Sequence, residues 1–585
     1  MTDIELDQLI PEGLPSGAEV IAAGRERARG LEVGRSLYVE RRQAASDRST
    51  KERYREDGTL STYINLGFKT WAETADALRE LLDAGRRHGF RLDRVSLIPD
   101  RRMGLPEDLR ARAHEETGIM MYSREDWHGA ARDVDVAPIW NDHNICSPNA
   151  VANTTAAIEA GFGYIGNLAQ QNYGYPLWDD DVEQMRASVE ALAMIGEKRD
   201  DGLVVESYIE DGFCASFHDL ATSLGWCLFH RYVCEELVGA PHSQSYGSTF
   251  SDPVRKQAFG LALDAVNVNR IPPSFTHGDT NSFELDDHFD RNAATVMADV
   301  FYTAMRERAF PTGGALHATP VSEAVRIPTV DELVQSLLIV DEAARRAEDS
   351  LPLMDWRPVL EMRDRIVDGG RRFFDRLLQG LTDLGVDTRD PLQLLLATRR
   401  IGGTKLEELF GVGEPDAGYP RGFTPVVASD TLLRLLRKRD ALLGELAARG
   451  RPDLTGLKIV AASGDIHEYG LFVVSSVLAE LGARVIDLGT SVSADALAKA
   501  AAEADADAVC LSTYNGMALS LGRQLVDEVR HRGLRARVFL GGRLNQDLED
   551  ESAADVRPQI AQAGAIPCDS VHDLVRELMP DMAPA

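Results

Sequence analysis

The stretch "LKIVAASGDIHEYGLFVVSSVLAELG", residues 457–482, changes its hydrophobic pattern within a single turn. Leu457 to Ala462 form the short apolar run expected of a strand buried on both faces. Gly464 closes it, Asp465 and His467 follow two apart, and beyond Gly470 the apolar residues resume as a helix. The alternation continues downstream, with "ARVIDLG", "DAVCLS", "ARVFLGG" and "GAIPC" as strands and "ADALAKAAAEA", "GRQLVDEVRHRG" and "VHDLVRELM" as helices. Five strands with crossover helices in about 125 residues predict a flavodoxin-like, doubly wound sheet over 456–585. Such sheets bind ligands at the carboxyl ends of their strands, where the Asp465–His467 turn falls.

Working upstream, residues 60–330 alternate helical stretches such as "TWAETADALRELLDAGRRHG" with short apolar runs. These runs are "RVSLIP", "GIMMYS", "DVAPIW", "FGYIGNL", "GLVVESYI", "GWCLFHR" and "GALHATP". Roughly eight such alternations predict an α/β chain opening with a (β/α)8 TIM barrel. The polar loops "NDHNICSPN", "AQQNYGYP", "EDGF" and "QSYGST" follow strands, at the barrel mouth where chemistry occurs. Residues 1–58 read as a charged helical segment, and 59–409 as the barrel with helices at its carboxyl end. The Gly- and Pro-rich "FGVGEPDAGYPRGFTP" and one charged helix make 410–455 a linker, and 456–585 is the second domain.

The 585 residues include 93 acidic and 63 basic ones, a formal net charge of -30. That field repels phosphate backbones and anionic lipid, so neither nucleic acid nor a membrane is an expected partner. The one basic block, "RSTKERYRE" near residue 50, reads as a solvated helix. The N-terminal "MTDIELDQLI" is acidic, unlike a signal peptide, and a cytoplasmic protein is expected. The six cysteines have no metal-ligand spacing and read as reduced core thiols.

Three points meet at one edge of the predicted second sheet. Gly470 admits a close approach before the helix. After 41 residues comes Ser512-Thr513-Tyr514, and after 26 more the pair Gly541-Gly542. This pattern resembles the cobalamin-binding module of mutases and methionine synthases. The resemblance implies that His467 is the lower cobalt ligand, with Asp465 accepting its other ring N–H. It implies a slot for the displaced dimethylbenzimidazole tail, entered at Gly470 and lined by Ser512, Gly541 and Gly542. Tyr514 stands where that family has Leu, which reshapes a wall of the slot.

Residues 317–328, "HATPVSEAVRIP", resemble a stretch of the barrel subunit of glutamate mutase (methylaspartate mutase). Weaker similarity follows in "NICSPN", "NYGYP" and "SYGST". Together these resemblances imply barrel and cobalamin subunits fused in one chain, with adenosylcobalamin as cofactor and a radical rearrangement of a small-molecule substrate. They carry Glu323 onto a ribose contact and Tyr173, or Tyr175 after a small shift, onto a substrate-facing tyrosine. Glu210 joins Tyr173 and Glu323 as a catalytic candidate. Of the family's three substrate-binding arginines only the position at Arg101-Arg102 keeps Arg. The others fall at Asn65-Leu66 and at His143-Asn144, and the family glutamate falls near Leu168. Arg101, Arg102, His143, Asn144 and Tyr246 are therefore the substrate-binding candidates, for a carboxylic or amino acid other than glutamate. Glutamate mutase with an altered pocket, a corrinoid methyltransferase and a non-catalytic cobalamin sensor stay open, as does a homodimer.

Overall fold

The computed structural model describes the chain except residues 1–4, 114, 116, 276–279, 318, 417–418, 465–468, 490–491, 514–516, 549–550 and 580–585. It divides into two compact units, Met1–Thr431 and Leu432–Ala585.

The first unit is built on a parallel sheet of seven strands. In chain order they are β1 (Ser61–Leu66), β2 (Arg94–Leu97), β3 (Ala137–Trp140), β4 (Tyr164–Gly166), β5 (Val204–Tyr208), β6 (His242–Ser245) and β7 (Ala315–His317). They lie in the order β6-β5-β4-β3-β2-β1-β7, and Phe275 adds a single parallel bridge to Ala315 beyond β7. Tyr63 on β1 and Tyr208 on β5 are four strands apart, yet both rings pack on Phe275, at 4.4 and 5.4 Å between centroids. A sheet must curl strongly for that to happen. Where eight strands were expected, the described residues form a curled sheet of seven strands and one bridge.

Each helix on this sheet follows from local chemistry. Trp71–His88 opens on Thr70, whose side chain accepts from Glu73 N while Glu73 reaches back to the Thr70 backbone, a reciprocal cap. Apolar residues at helical spacing, among them Leu78 and Leu81, are fully buried, and Gly89 ends the helix in the left-handed region at φ 88.

Three sequence readings are corrected here. "GWCLFHR" belongs to a helix, Leu220–Arg231, whose residues are buried on nearly every side. "GIMMYS" contributes only bridges at Ile119 and Met120. The block near residue 50 is no solvated helix: Asp47–Asp57 buries Asp47, Thr50, Lys51 and Tyr54 as one face. Lys51 Nζ donates to Ser274 O and Gly313 O at 2.7 and 3.1 Å, and Asp47 pairs with the buried Arg94 at 2.6 Å.

The segment expected as a linker is likewise tied down. Glu414–Pro415 pairs antiparallel with Phe423–Thr424, and Val426 N and Val427 N donate to Asp219 at 2.8 and 3.0 Å. The division between units falls at 431/432, inside the helix Asp430–Ala448.

The second unit has five parallel strands: Lys458–Ser463, Arg484–Asp487, Ala508–Thr513, Arg537–Gly542 and Ile566–Pro567. Numbered along the chain, their order is 2-1-3-4-5, as in flavodoxin-like sheets. Alternate residues feed two cores. Ile459, Ala461, Cys510 and Phe539 face one helical layer, and Val460, Ala462, Val509, Leu511 and Leu540 face the other. A short antiparallel pair, Asn545–Leu548 with Glu551–Asp555, was not foreseen. All six cysteines are free and buried, as expected. No helix among the described residues is long and apolar enough to cross a membrane.

Candidate functional site

The second unit holds a slot of about 280 Å³ on the face of the sheet shared by Ala461, Cys510 and Phe539. Its other walls come from the helices Tyr469–Glu480 and Val571–Leu578 and from Leu442. The volume lies just under the roughly 300–1,000 Å³ of whole small-molecule pockets, which suits one arm of a larger ligand. Parallel pairing brings Ser463, Ser512 and Gly541 into one row at the carboxyl edge.

The neck of the slot is built from glycines for steric reasons. A Cβ at Gly470 would lie 2.8 Å from Ser512 Oγ. At Gly542, φ is +92 and a Cβ would meet Thr513 O at 2.1 Å, so a side chain there is both strained and blocked. At Gly541 only Cys568 O stands near, at 3.6 Å, so a Cβ would simply occupy slot space. Burial pushes the Cys568 thiol up to about 12 and raises Cys510 further, so both line the slot as neutral groups. These residues suit a planar, largely apolar arm passing between Gly470 and Gly541. Asp465, His467 and Tyr514 lie outside the described residues.

The first unit gathers polar groups beyond β2, β3 and β4. Arg101 donates to Gly174 O at 2.5 Å, lies 5.8 Å from the Tyr175 ring centroid, and pairs with no carboxylate among the described residues. Tyr175 Oη meets His143 Nδ1 at 3.2 Å, and the His143 and Tyr173 rings are 6.1 Å apart. Burial, helped by Arg101, lowers His143 to about 3, so the imidazole is neutral. Burial, with Asp211 and Asp142 nearby, holds the Tyr173 phenol well above its ordinary value. Asn144 is fully buried. Its Oδ1 accepts from Thr154 at 3.3 Å, and its Nδ2 has no partner among the described residues.

The remaining candidates sit elsewhere. Arg102 is held bidentate by Asp100 at 2.9 and 2.7 Å, so its charge is already matched. Both Glu210 oxygens are filled: Oε2 by Gly247 N and Ser248 N, Oε1 by Thr249 N and Thr249 Oγ1. That carboxylate anchors the loop after β6 instead of facing a ligand. Tyr246 is buried among Phe250 and Phe259 and donates to Lys256 O at 2.8 Å, which makes it core. Glu323 is exposed in the turn following β7.

Several neighbours escaped the sequence reading. Gln170 ties two loops by donating to Asp142 at 2.9 Å and accepting from His143 N at 2.9 Å. Asn167 donates to Asp211 at 2.7 Å. Arg399, from the helix Pro391–Ile401, donates to Gln171 O and, at 3.0 Å, to Tyr173 O. The loops holding Gln170, Asp142 and Asp211 were recognisable as polar, whereas Asn167 lies in the run "FGYIGNL" read as a strand, and nothing in the sequence marked Arg399.

With this geometry in view, comparison with known proteins defines a class. Residues 457–563 match the family model described as B12 binding domain, so the second unit is a cobalamin-binding domain. Methionine synthase of Mycobacterium tuberculosis is 25% identical over 273 residues, 43% of this chain and 22% of that protein. Fused isobutyryl-CoA mutase of Paraburkholderia xenovorans is 41% identical over 83 residues, 14% of this chain and 6% of that protein. Glutamate mutase sigma subunit 1 of Haloarcula marismortui is 33% identical over 92 residues, 15% of this chain and 61% of that protein. The chain thus spans a minor share of the first two relatives. Among them are proteins named as mutases and one named as a methionine synthase.

Proposed function

We propose that this chain is an adenosylcobalamin-dependent mutase that rearranges a small carboxylic or amino acid other than glutamate. In this reading the curled sheet of the first unit closes as a (β/α)8 barrel, and its mouth holds the substrate. His467 is the lower cobalt ligand, Asp465 orients it, and the slot between Gly470 and Gly541 takes the cofactor's nucleotide tail. Bound adenosylcobalamin supplies a carbon radical through homolysis of its cobalt–carbon bond.

The observation that carries the reading is the contrast between Arg101 and Arg102. Arg102 is neutralised by Asp100, whereas Arg101 reaches the His143–Tyr173–Tyr175 cluster with no carboxylate partner among the described residues. One unmatched guanidinium among neutral hydrogen-bonding groups suits a substrate with a single carboxylate. Tyr173 and neutral His143 position the remainder of the substrate, and the buried loops keep water from it. Arg399 and Gln170 hold those loops from behind.

Methyl transfer is the second reading, favoured by the similarity to methionine synthase over 43% of this chain. The two separate by product. With adenosylcobalamin and a panel of small amino and hydroxy acids, nuclear magnetic resonance is expected to reveal an isomer of one substrate with a rearranged carbon skeleton. Loss of a methyl group from methylcobalamin to an acceptor, with no isomer formed from any acid, would decide for methyl transfer.

A further inference from the structure

Buried polar groups on the concave face of the first unit's sheet are of two kinds. Tyr63 and Tyr208 meet on Phe275 across that face, and alternation along β5 puts Glu206 and Val204 on it as well. Glu206 is fully buried and satisfied, since Ser243 and Ser245 donate to it at 2.5 and 2.6 Å. Asn141 is of the other kind. Ile139, Tyr164 and Val204 pack together on the same face, and Asn141 follows two residues after Ile139. It therefore stands at the carboxyl edge of the sheet, where chemistry occurs in barrels. Its Oδ1 lies 2.9 Å from the position a Cβ would take on Gly166, two residues beyond Tyr164. The amide thus leans across the end of β4, beside the space that the glycine leaves open. Asn141 is 5% exposed, and its Oδ1 is buried with no hydrogen-bond partner among the described residues. The amides of Gln170 and Asn167, in the loop after β4, are directed at Asp142 and Asp211 instead, at 2.9 and 2.7 Å.

We propose that Asn141 is a specificity-determining residue of the barrel mouth, its amide oxygen accepting a hydrogen bond from an N–H or O–H group of the substrate. The inference rests on the reading of that mouth as the substrate site. A buried acceptor without a donor lowers a folding equilibrium by about tenfold or more. Such a group is retained where a ligand completes it, at the expense of the free protein's stability. The roles then divide. Arg101 takes the substrate's carboxylate, and Asn141 reads whether the rest of the molecule carries a donor. An acid of the same skeleton with only hydrogen at that position leaves the acceptor unpaired, and a site built around a hydrogen bond rejects the analogue that lacks it.

The test is turnover by the full chain with adenosylcobalamin, followed by nuclear magnetic resonance, on matched sets of small acids. Each set holds an amino acid, the corresponding hydroxy acid, and the acid with hydrogen in place of either group. Wild type is expected to isomerise an amino or a hydroxy acid with kcat/KM at least about tenfold above that for the donor-less acid. Which of the two is isomerised identifies the donor. Asn141→Leu, close in size, is expected to lose that preference while its melting temperature stays unchanged or rises, because the unpaired acceptor is gone. Asn141→Ala, which cannot overfill the space, is expected to lose the same preference. Either variant keeping the wild-type preference, or wild type accepting the donor-less acid equally well, would overturn the assignment and leave the substrate site standing. Loss of activity only in step with a lowered melting temperature, in both variants, would make Asn141 structural and overturn it too. Wild type isomerising no acid of any set would overturn the proposed reaction and the assignment with it.

Discussion

Gly470 and Ser512 face each other so closely across the neck of the slot that a Cβ on the glycine would lie 2.8 Å from the serine hydroxyl. The helix Tyr469–Glu480 thus begins against the end of the strand Ala508–Thr513, at a point where a side chain larger than glycine would have to displace the serine hydroxyl. Gly470→Val is expected to weaken cobalamin binding by tenfold or more, about 1.4 kcal/mol, with far-ultraviolet circular dichroism unchanged. Binding within twofold of wild type would mean that the tail enters elsewhere.

The paired glycines at the end of Arg537–Gly542 should respond in opposite ways. Gly541→Ala meets only Cys568 O at 3.6 Å, so stability without cofactor stays within about 0.5 kcal/mol, while cobalamin affinity falls because slot space is lost. Gly542→Ala, at φ +92 and against Thr513 O, costs the cofactor-free domain about 1–3 kcal/mol. Thermal denaturation and absorption titration of both variants check the contrast, and equal behaviour of the two would refute it.

Glu210 gathers four donors from Gly247, Ser248 and Thr249. Glu210→Ala removes the acceptor of Gly247 N and of both Thr249 donors, while Ser248 N keeps Tyr208 Oη at 3.0 Å, and is expected to destabilise the first unit by about 2–4 kcal/mol in urea denaturation. A variant that loses activity with stability unchanged would return Glu210 to a catalytic role.

Acid should weaken the first unit through imidazoles buried in neutral form. His230 is fully buried with no hydrogen-bond partner at either ring nitrogen among the described residues, and burial lowers it to about 3. Unfolded, it titrates near about 6.5. The unfolded chain therefore binds the proton first, and stability present above about pH 6.5 is lost as pH falls toward 3. In His230→Leu the stability gain over wild type should grow between pH 7.5 and pH 5, by calorimetry. A difference independent of pH would contradict the neutral assignment.

The second unit was legible because each of its first, third and fourth strands is buried on both faces and reads as an unbroken apolar run between helices. The first unit was less so, and β6 shows why. Its sequence, "HSQS", is polar because its side chains satisfy groups inside the sheet: Ser243 and Ser245 donate to the buried Glu206 at 2.5 and 2.6 Å. The helix Leu220–Arg231 misled in the opposite sense, since a helix buried all round has no amphipathic stripe to separate it from a strand. At the candidate site, the polar loops were visible in sequence while their pairings were not. Whether an arginine lacks a carboxylate partner among the described residues, as Arg101 does, or is matched, as Arg102 is, depends on a carboxylate and a fold together.

The account turns on a histidine of this chain binding cobalt while the tail occupies the slot. Electron paramagnetic resonance of cobalt(II) cobalamin on protein grown with ¹⁵N-histidine tests this directly. The superhyperfine pattern from the axial nitrogen is expected to change from that of ¹⁴N to that of ¹⁵N, and to vanish in His467→Ala. A pattern indifferent to the label and to the substitution would leave the cofactor's own base on cobalt and contradict the account.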